Sequence, residues 1–404
     1  MKCGLLGRIL GHSYSPEIHA MMGSYRYDLF EVEPEELGNF LHQADFDGLN
    51  VTMPYKKAVI AYLDELTPTA KQIGAVNTIY RKAGKLIGHN TDLYGFQQML
   101  KKSALSPAGK KCLVLGSGGA SDVAVFALQQ MGANVVIISR KGENNYGNLA
   151  HHKDASIIVN ATPVGMYPHC GEALIDLSLF PQLEGVLDVI YNPARTQLIM
   201  DAEKRNIVTE NGLWMLVCQA REASEKMTGT QVSLSRTQEI FHHLQRKMEN
   251  IVLIGMPGCG KTTIGKVLAQ RTGKRFVDTD AYIQEMTGKS IPAIFAEEGE
   301  AAFRNYETEV IKNLSKESGL VIATGGGCVT QNRNYSPLHQ NSTIVWIHRP
   351  LHLLSAEGRP LSLKTNPEEM FMHRKPLYEA FADFSIDNSA DFENAVNTIL
   401  EKLA

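Results

Sequence analysis

The sequence of 404 residues contains no apolar run near the ~18 residues that a membrane span requires. It has no basic excess either: 40 Lys and Arg stand against 43 Asp and Glu, a formal net charge of −3. Up to residue 247 there are 24 charges of each sign, and beyond it 16 basic and 19 acidic, so neither part offers a nonspecific nucleic-acid surface. The six cysteines, Cys3, Cys112, Cys170, Cys218, Cys259 and Cys328, lie far apart. No CxxC pair marks a redox or zinc motif, which leaves free thiols suited to a reducing compartment. The opening MKCGLLGRILGHS has too short an apolar stretch for a signal peptide. Repeats, low-complexity tracts and Gly/Ser/Pro-rich linkers are also missing. These absences predict a cytoplasmic protein that binds neither nucleic acid nor membrane, and they leave its oligomeric state open.

Two segments share one grammar: a short apolar strand, a glycine-rich turn, then a helical pattern. They are KKCLVLGSGGASDVAVFALQQMG at 110–132 and ENIVLIGMPGCGKTTIGKVLAQRTG at 249–273. Each sets the free N–H groups of a helix start just after a buried strand, which is where phosphates bind. At about 150 residues per domain the length predicts two or three domains. Alternating strand and helix patterns predict an α/β protein throughout. Residues 1–102, with a helical return at about 222–247, read as one α/β domain. Residues 103–221 read as a Rossmann-type dinucleotide domain, and 248–404 as a P-loop domain with a parallel sheet. The stretch 213–247 reads as long and helical, and the joint at 248 as the end of a helix.

The second turn, from Gly255 to Thr262, fits GxxxxGK[ST] in full and has the strand-then-helix context that the motif needs. Gly258, Cys259, Gly260 and Thr263 belong to the cradle around the phosphates, with Cys259 a small filler. Lys261 reaches the β- and γ-phosphates of ATP, and Thr262 offers a hydroxyl to Mg²⁺. The next strand ends in Asp278 and Asp280. Side chains two apart on a strand point the same way, so both carboxylates are expected at the crevice; a helix cap plus a solvated acid is the alternative. Arg304, the glycines Gly325 to Gly327, Arg359 and Arg374 follow. Together these residues resemble shikimate kinase, in the order P-loop, DxD, FR, GGG, RPL, RxPLY, over about 248–404. The resemblance implies Mg²⁺ at Thr262 and Asp278, and Asp280 as the base on the attacking hydroxyl. It also implies that Arg304 and Arg374 hold a substrate carboxylate, with the Gly326 backbone beside a ring hydroxyl, and that Arg359 is on a lid over the phosphates. The lid stretch LHLLSAEGRPLSLKTN carries one arginine, where many relatives carry more.

The first turn, Gly116, Ser117, Gly118, Gly119, Ala120, Ser121, is a GxGxxG variant that follows a strand and opens a helix. About twenty residues on, an acid would bind the ribose hydroxyl of NAD. This chain has Arg140 followed by Lys141, which suits the 2′-phosphate of NADP. Asp122, near the start of the helix, is awkward beside a pyrophosphate. The runs HSYSP, NVTMPYK, GAVNT, HNTD, NATPVGM, DVIYNPART and NGLWMLVCQA complete a resemblance to shikimate dehydrogenase over about 1–247. That resemblance implies Lys56 and Asp92 as the proton-transfer pair. It further implies Ser13, Ser15, Thr52, Asn77, Tyr191 and Gln219 on the substrate, Gly116 to Ala120 on the pyrophosphate, Arg140 on the 2′-phosphate, and Val189 and Gly212 near the nicotinamide. The stretch MMGSYRYDLFEVEPEEL looks trimmed for the family.

The two modules explain each other. The expected protein is a bifunctional enzyme that reduces 3-dehydroshikimate to shikimate with NADPH and phosphorylates shikimate with ATP and Mg²⁺. The alternatives are a quinate/shikimate dehydrogenase with relaxed cofactor use fused to the kinase, and a chain in which one half has become a scaffold.

Overall fold

The computed structural model describes every residue except His12, Ala44, 355–365 and Ala404. The chain divides into two compact units: Met1–Met166 with Glu172–Tyr191 and Leu198–Leu244, and Gln245–Ala404 with Tyr167–Gly171 and Asn192–Gln197. Among the described residues no helix is long and apolar enough to cross a membrane, and all six cysteines are free.

The first unit holds two sheets. One is mixed, built from β1 (Lys2–Gly7), β2 (Arg26–Glu31), β3 (Gly48–Val51), β4 (Glu65–Leu66), β5 (Thr78–Lys82) and β6 (Lys85–His89), in the order β2-β1-β3-β5-β6-β4. β1 pairs parallel with both β2 and β3, while β3, β5 and β6 run antiparallel in turn. The trimmed-looking stretch supplies the edge strand β2. The other sheet is wholly parallel: β7 (Lys111–Leu115), β8 (Asn134–Ile138), β9 (Ile157–Asn160), β10 (Gly185–Asp188) and β11 (Val208–Asn211), in the order β11-β10-β9-β7-β8. β9 and β10 are buried at every position, the pattern of a strand covered on both faces. Helix Gly119–Gln130 buries Val123, Ala124, Ala127 and Leu128 at helical spacing, and they pack with Phe96, Met99 and Leu100 of helix Asp92–Ser103. The chain order of this sheet reverses between β7 and β9, so its crevice opens at their carboxyl ends.

The long helical stretch expected at 213–247 is two helices, Leu213–Thr228 and Leu234–Met248. Gly229 ends the first with φ 71°, a left-handed cap that glycine adopts without the steric penalty of a Cβ. The division between the units falls inside the second helix, and a strand begins two residues after it.

The second unit is a parallel sheet of β12 (Asn250–Ile254), β13 (Arg275–Asp278), β14 (Leu320–Ala323), β15 (Ser342–His348) and β16 (Phe384–Asp387), in the order β13-β14-β12-β15-β16. All five residues of β12 are buried. Its carboxyl end therefore opens between the ends of β14 and β15, and both nucleotide turns of the chain sit at such ends.

Candidate functional site

In the first unit a cavity of about 620 Å³ collects Ser13, Ser15, Thr52, Lys56, Asn77, Asp92, Val189, Tyr191, Gly212 and Gln219. The ten come from loops at strand ends of both sheets and from helices Ser15–Met22, Asp92–Ser103 and Leu213–Thr228. Lys56 Nζ donates to Asp92 Oδ2 at 2.7 Å, and both side chains are partly shielded from water. Asp92 opens its helix, where a carboxylate is favoured by the free N–H groups. Asn77 is locked from both ends of its amide: Nδ2 donates to Thr91 Oγ1 at 3.0 Å and Oδ1 accepts from Thr91 N at 2.7 Å. Thr91 Oγ1 also reaches Gln219 Oε1 at 3.4 Å. Thr91 therefore couples two of the expected substrate ligands, and nothing in its spacing singled it out. Asn50 lines the cavity too, and Tyr27 donates to its Oδ1 at 2.8 Å. Behind Tyr27 the buried His19 stacks at 4.0 Å, with its Nδ1 2.6 Å from the Tyr25 hydroxyl. Burial pushes the His19 imidazole down to about 3.

Gly212 is required sterically: a Cβ there would lie 2.0 Å from the Val189 carbonyl oxygen. Tyr191 meets the Tyr14 ring edge-on at 6.2 Å, and burial raises its phenol above the usual value.

The glycine turn lies between the two strand ends as expected. Gly116 has φ 112°, and a Cβ there would crowd Thr162 and Ala161 beyond β9. Gly118 caps helix Gly119–Gln130 with no side chain on its N–H groups, and a Cβ at Gly118 or Gly119 would meet no protein atom. That open space beside unclaimed amides fits a pyrophosphate. Ser121, in place of the last motif glycine, is buried and ties its hydroxyl to the Gly116 carbonyl at 2.8 Å. Asp122, expected to be awkward, pairs with Lys57 at 3.3 Å, which offsets its charge. Gly119 and Ala120 border the cavity, whereas Gly116, Ser117, Gly118 and the exposed Arg140, two residues past β8, lie outside it.

In the second unit a cavity of about 420 Å³ gathers Gly258, Gly260, Lys261, Thr262, Thr263, Asp278, Asp280, Arg304, Gly326 and Arg374. Gly260 caps helix Lys261–Thr272 in the left-handed region, again with no side chain on the free amides. Lys261 Nζ donates to the carbonyls of Gly255 and Met256, at 2.8 and 3.0 Å. Cys259 sits inside the turn. Its side chain is buried in the apolar core, its N–H donates to Met256 O, and its carbonyl accepts from Asn388. It shapes the turn from within.

Asp278 and Asp280 do not alternate along one strand as expected, because β13 ends at Asp278 and Asp280 lies in the first turn of helix Thr279–Thr287. Both reach the cavity by another route. Asp278 Oδ1 caps the helix through Asp280 N at 3.0 Å and Ala281 N at 3.3 Å, while Oδ2 accepts from Thr262 Oγ1 at 2.9 Å. A hydroxyl and one carboxylate at that distance fit Mg²⁺, which keeps most of its shell as water and phosphate oxygen. Among the described residues no cluster of three His, Cys, Asp or Glu forms a protein-only metal cage.

Arg304 donates to Glu307 Oε2 at 2.8 Å and to Glu300 Oε1 at 3.2 Å. Burial pushes the Glu307 carboxyl up to about 7, and Arg304 only partly pulls it back. Burial works against the charge on Arg304, but Glu307 outweighs it and keeps the guanidinium protonated. The Gly326 carbonyl accepts from Arg374 Nη1 at 3.1 Å and from the Tyr378 hydroxyl at 2.5 Å. Glu307 was legible as a three-residue partner of Arg304 on one helix face, and Tyr378 as the last residue of RxPLY, four after Arg374; Arg349, which also lines this cavity, carried no such signal. Arg359 lies outside the described residues.

Residues 257–404 match the family model for shikimate kinase, and residues 5–79 that for the shikimate dehydrogenase substrate binding domain. A shikimate dehydrogenase (NADP(+)) of Clostridium perfringens strain 13 is 35% identical over 264 residues, spanning 60% of this chain and 97% of that protein. The chain belongs to the shikimate dehydrogenase family. Residues 257–404 are a shikimate kinase domain. Among solved structures, a chorismate mutase/shikimate 5-dehydrogenase fusion protein from Clostridium acetobutylicum is 34% identical with a TM-score of 0.58, covering 60% of this chain and 97% of that one. Shikimate 5-dehydrogenase from Thermus thermophilus, in complex with NADP(H) and shikimate, is 31% identical with a TM-score of 0.56, over 60% and 99%. The chain is thus a bifunctional enzyme of the shikimate pathway, joining a dehydrogenase, an oxidoreductase, to a kinase, a phosphotransferase.

Proposed function

We propose that the dehydrogenase module reduces 3-dehydroshikimate to shikimate with NADPH, and that the kinase module transfers the γ-phosphoryl group of ATP, with Mg²⁺, to the shikimate 3-hydroxyl. The observation that carries this reading is that each of two cavities on one chain holds a complete reacting set: Lys56 against Asp92 in the first, Lys261 with Thr262 against Asp278 and Asp280 in the second. We assign residues 1–102 and about 222–247 to substrate binding, 103–221 to NADP, and 248–404 to phosphoryl transfer. The exposed Arg140, after β8, supports NADP over NAD because its guanidinium matches a 2′-phosphate.

NADPH supplies a hydride to the ketone carbon. The oxygen left behind then takes a proton from the Lys56 ammonium, which Asp92 aims. Ser13, Ser15, Thr52, Asn77, Tyr191 and Gln219 fix the ring so that the ketone faces this pair, and Val189 and Gly212, packed backbone to backbone, border the cavity on the nicotinamide side. In the kinase cavity Arg304 and Arg374 hold the substrate carboxylate, and Asp280 takes the proton of the attacking hydroxyl. Lys261 and the open amides at Gly260 neutralise charge that builds on the phosphates, while Thr262 and Asp278 hold the metal. A cytoplasmic setting is supported by the six free thiols.

A coupled assay tests both halves. Supplied with 3-dehydroshikimate, NADPH, ATP and Mg²⁺, the enzyme is expected to consume NADPH and accumulate shikimate 3-phosphate. NADPH loss with no phosphorylated product, or no turnover of either nucleotide, would refute the corresponding half.

A further inference from the structure

The kinase cavity contains a cation that none of the roles above uses. Arg349 immediately follows β15 and lines the same cavity as the phosphate turn. The register Ile254↔Trp346 runs the end of β15 beside the end of β12, and the Ile347 carbonyl is so close to Gly255 that a Cβ there would lie 2.4 Å from it. The sheet order places β14 and then β13, with Asp278, on the other side of β12. The turn that wraps the phosphates is therefore flanked by carboxylate on one side and by Arg349 on the other.

The side chain is also unmatched. Arg349 Nε is buried and has no hydrogen-bond partner. The neighbouring His348 approaches Asp387 at 4.0 Å, but among the described residues no carboxylate pairs with Arg349. A guanidinium N–H taken out of water without an acceptor is costly, and an anionic ligand in the cavity removes that cost. The other two arginines of the cavity are already directed: Arg304 to Glu307, and Arg374 to the Gly326 carbonyl.

We propose that Arg349 is a further nucleotide-binding residue of the kinase module, donating to a terminal phosphate oxygen of ATP from the flank of the turn opposite Asp278. The proposal rests on the reading of this cavity as an ATP site. It gives the site a phosphate arginine anchored at a strand end. A planar fork just past a strand end suits a phosphate oxygen.

The test uses the full chain and MgATP, first by direct binding without the second substrate and then in turnover. Arg349→Ala is expected to weaken MgATP binding by about tenfold or more, the usual scale for losing a charged hydrogen bond, and to lower kcat for phosphoryl transfer. Its KM for shikimate should stay within about twofold, and Arg349→Lys should recover part of the loss, since it keeps the charge and loses the fork. The NADPH-linked reaction of the same variant and its unfolding midpoint should match the parent, which a purely structural role would not allow. Unchanged MgATP binding and kcat would overturn the proposal. So would an effect confined to the KM of shikimate, or unfolding of the kinase module in both Arg349→Lys and Arg349→Gln. If the parent binds MgATP through Arg349 and Lys261 yet never phosphorylates shikimate, the acceptor reading fails and the arginine assignment stands.

Discussion

At single residues, rate and stability depend on contacts that one substitution removes. Lys56→Ala takes away the donor that Asp92 holds at 2.7 Å. It is expected to lower kcat for reduction by roughly 10²–10⁴-fold, the range of general acid–base catalysis, with ATP turnover unchanged; steady-state rates of both reactions on one preparation check this. His19 provides a stability prediction with a definite sign. Its folded value is depressed from 6.5 to about 3 by burial, so below 6.5 the unfolded chain binds a proton that the native chain does not. The stability is intact above 6.5 and falls as pH drops, by up to about 1.4 kcal/mol per pH unit. Unfolding of the dehydrogenase module followed by denaturant between pH 7.5 and about pH 5 should show this slope, and His19→Gln should flatten it. Equal slopes would mean that the imidazole is not held neutral. Many of these residues were legible because their types announce a chemistry. Thr91 and Tyr27 were not, since their work is to hold Asn77 and Asn50, and only folded contacts disclose that.

At the scale of elements, Asp278 has two jobs on one side chain: it caps helix Thr279–Thr287 with one oxygen and meets Thr262 with the other. Asparagine caps a helix as well as aspartate does but carries no charge for a metal. Asp278→Asn should therefore keep the thermal midpoint and lose phosphoryl transfer, whereas Asp278→Ala should lose the activity and about 0.5–2 kcal/mol of stability. If the two variants unfold alike and differ little in rate, the separation of roles is wrong. Gly212→Ala drives a methyl against the Val189 carbonyl. It should destabilise the dehydrogenase module by about 1–3 kcal/mol and impair NADPH binding, both readable by calorimetry. The strand–turn–helix units were visible in sequence because a buried parallel strand is a continuous apolar run and its turn needs glycine. The end of β13 was placed wrongly, since the same Asp278 reads equally well as strand or as cap. The break at Gly229 was missed because a single glycine is tolerated within a helical pattern and only its φ of 71° decides.

At the scale of the whole molecule, two independent cavities predict separable activities. Mixing Lys56→Ala with Lys261→Ala, each lacking one step, should restore shikimate 3-phosphate production from 3-dehydroshikimate, because the intermediate can diffuse from one molecule to another. Product analysis over time checks this, and a silent mixture of individually half-active proteins would show that the steps cannot be divided between chains. The −3 net charge fits small anionic substrates drawn to local arginines and lysines rather than to a broadly basic surface.

The amino-acid sequence alone determined the class of chemistry, the two nucleotide turns and most of the residues around them, because glycine, lysine and aspartate at fixed spacing have few other uses beside a strand end. Tertiary structure alone decided which groups meet. It brought Lys56 to Asp92 across 36 positions, set Arg304 on a buried Glu307, buried the Cys259 side chain in the core and put Arg349 on the cavity of the second glycine turn. Pattern along a chain reports the period of an element, while contact between elements depends on how sheets and helices stack, and the local sequence does not encode that stacking residue by residue.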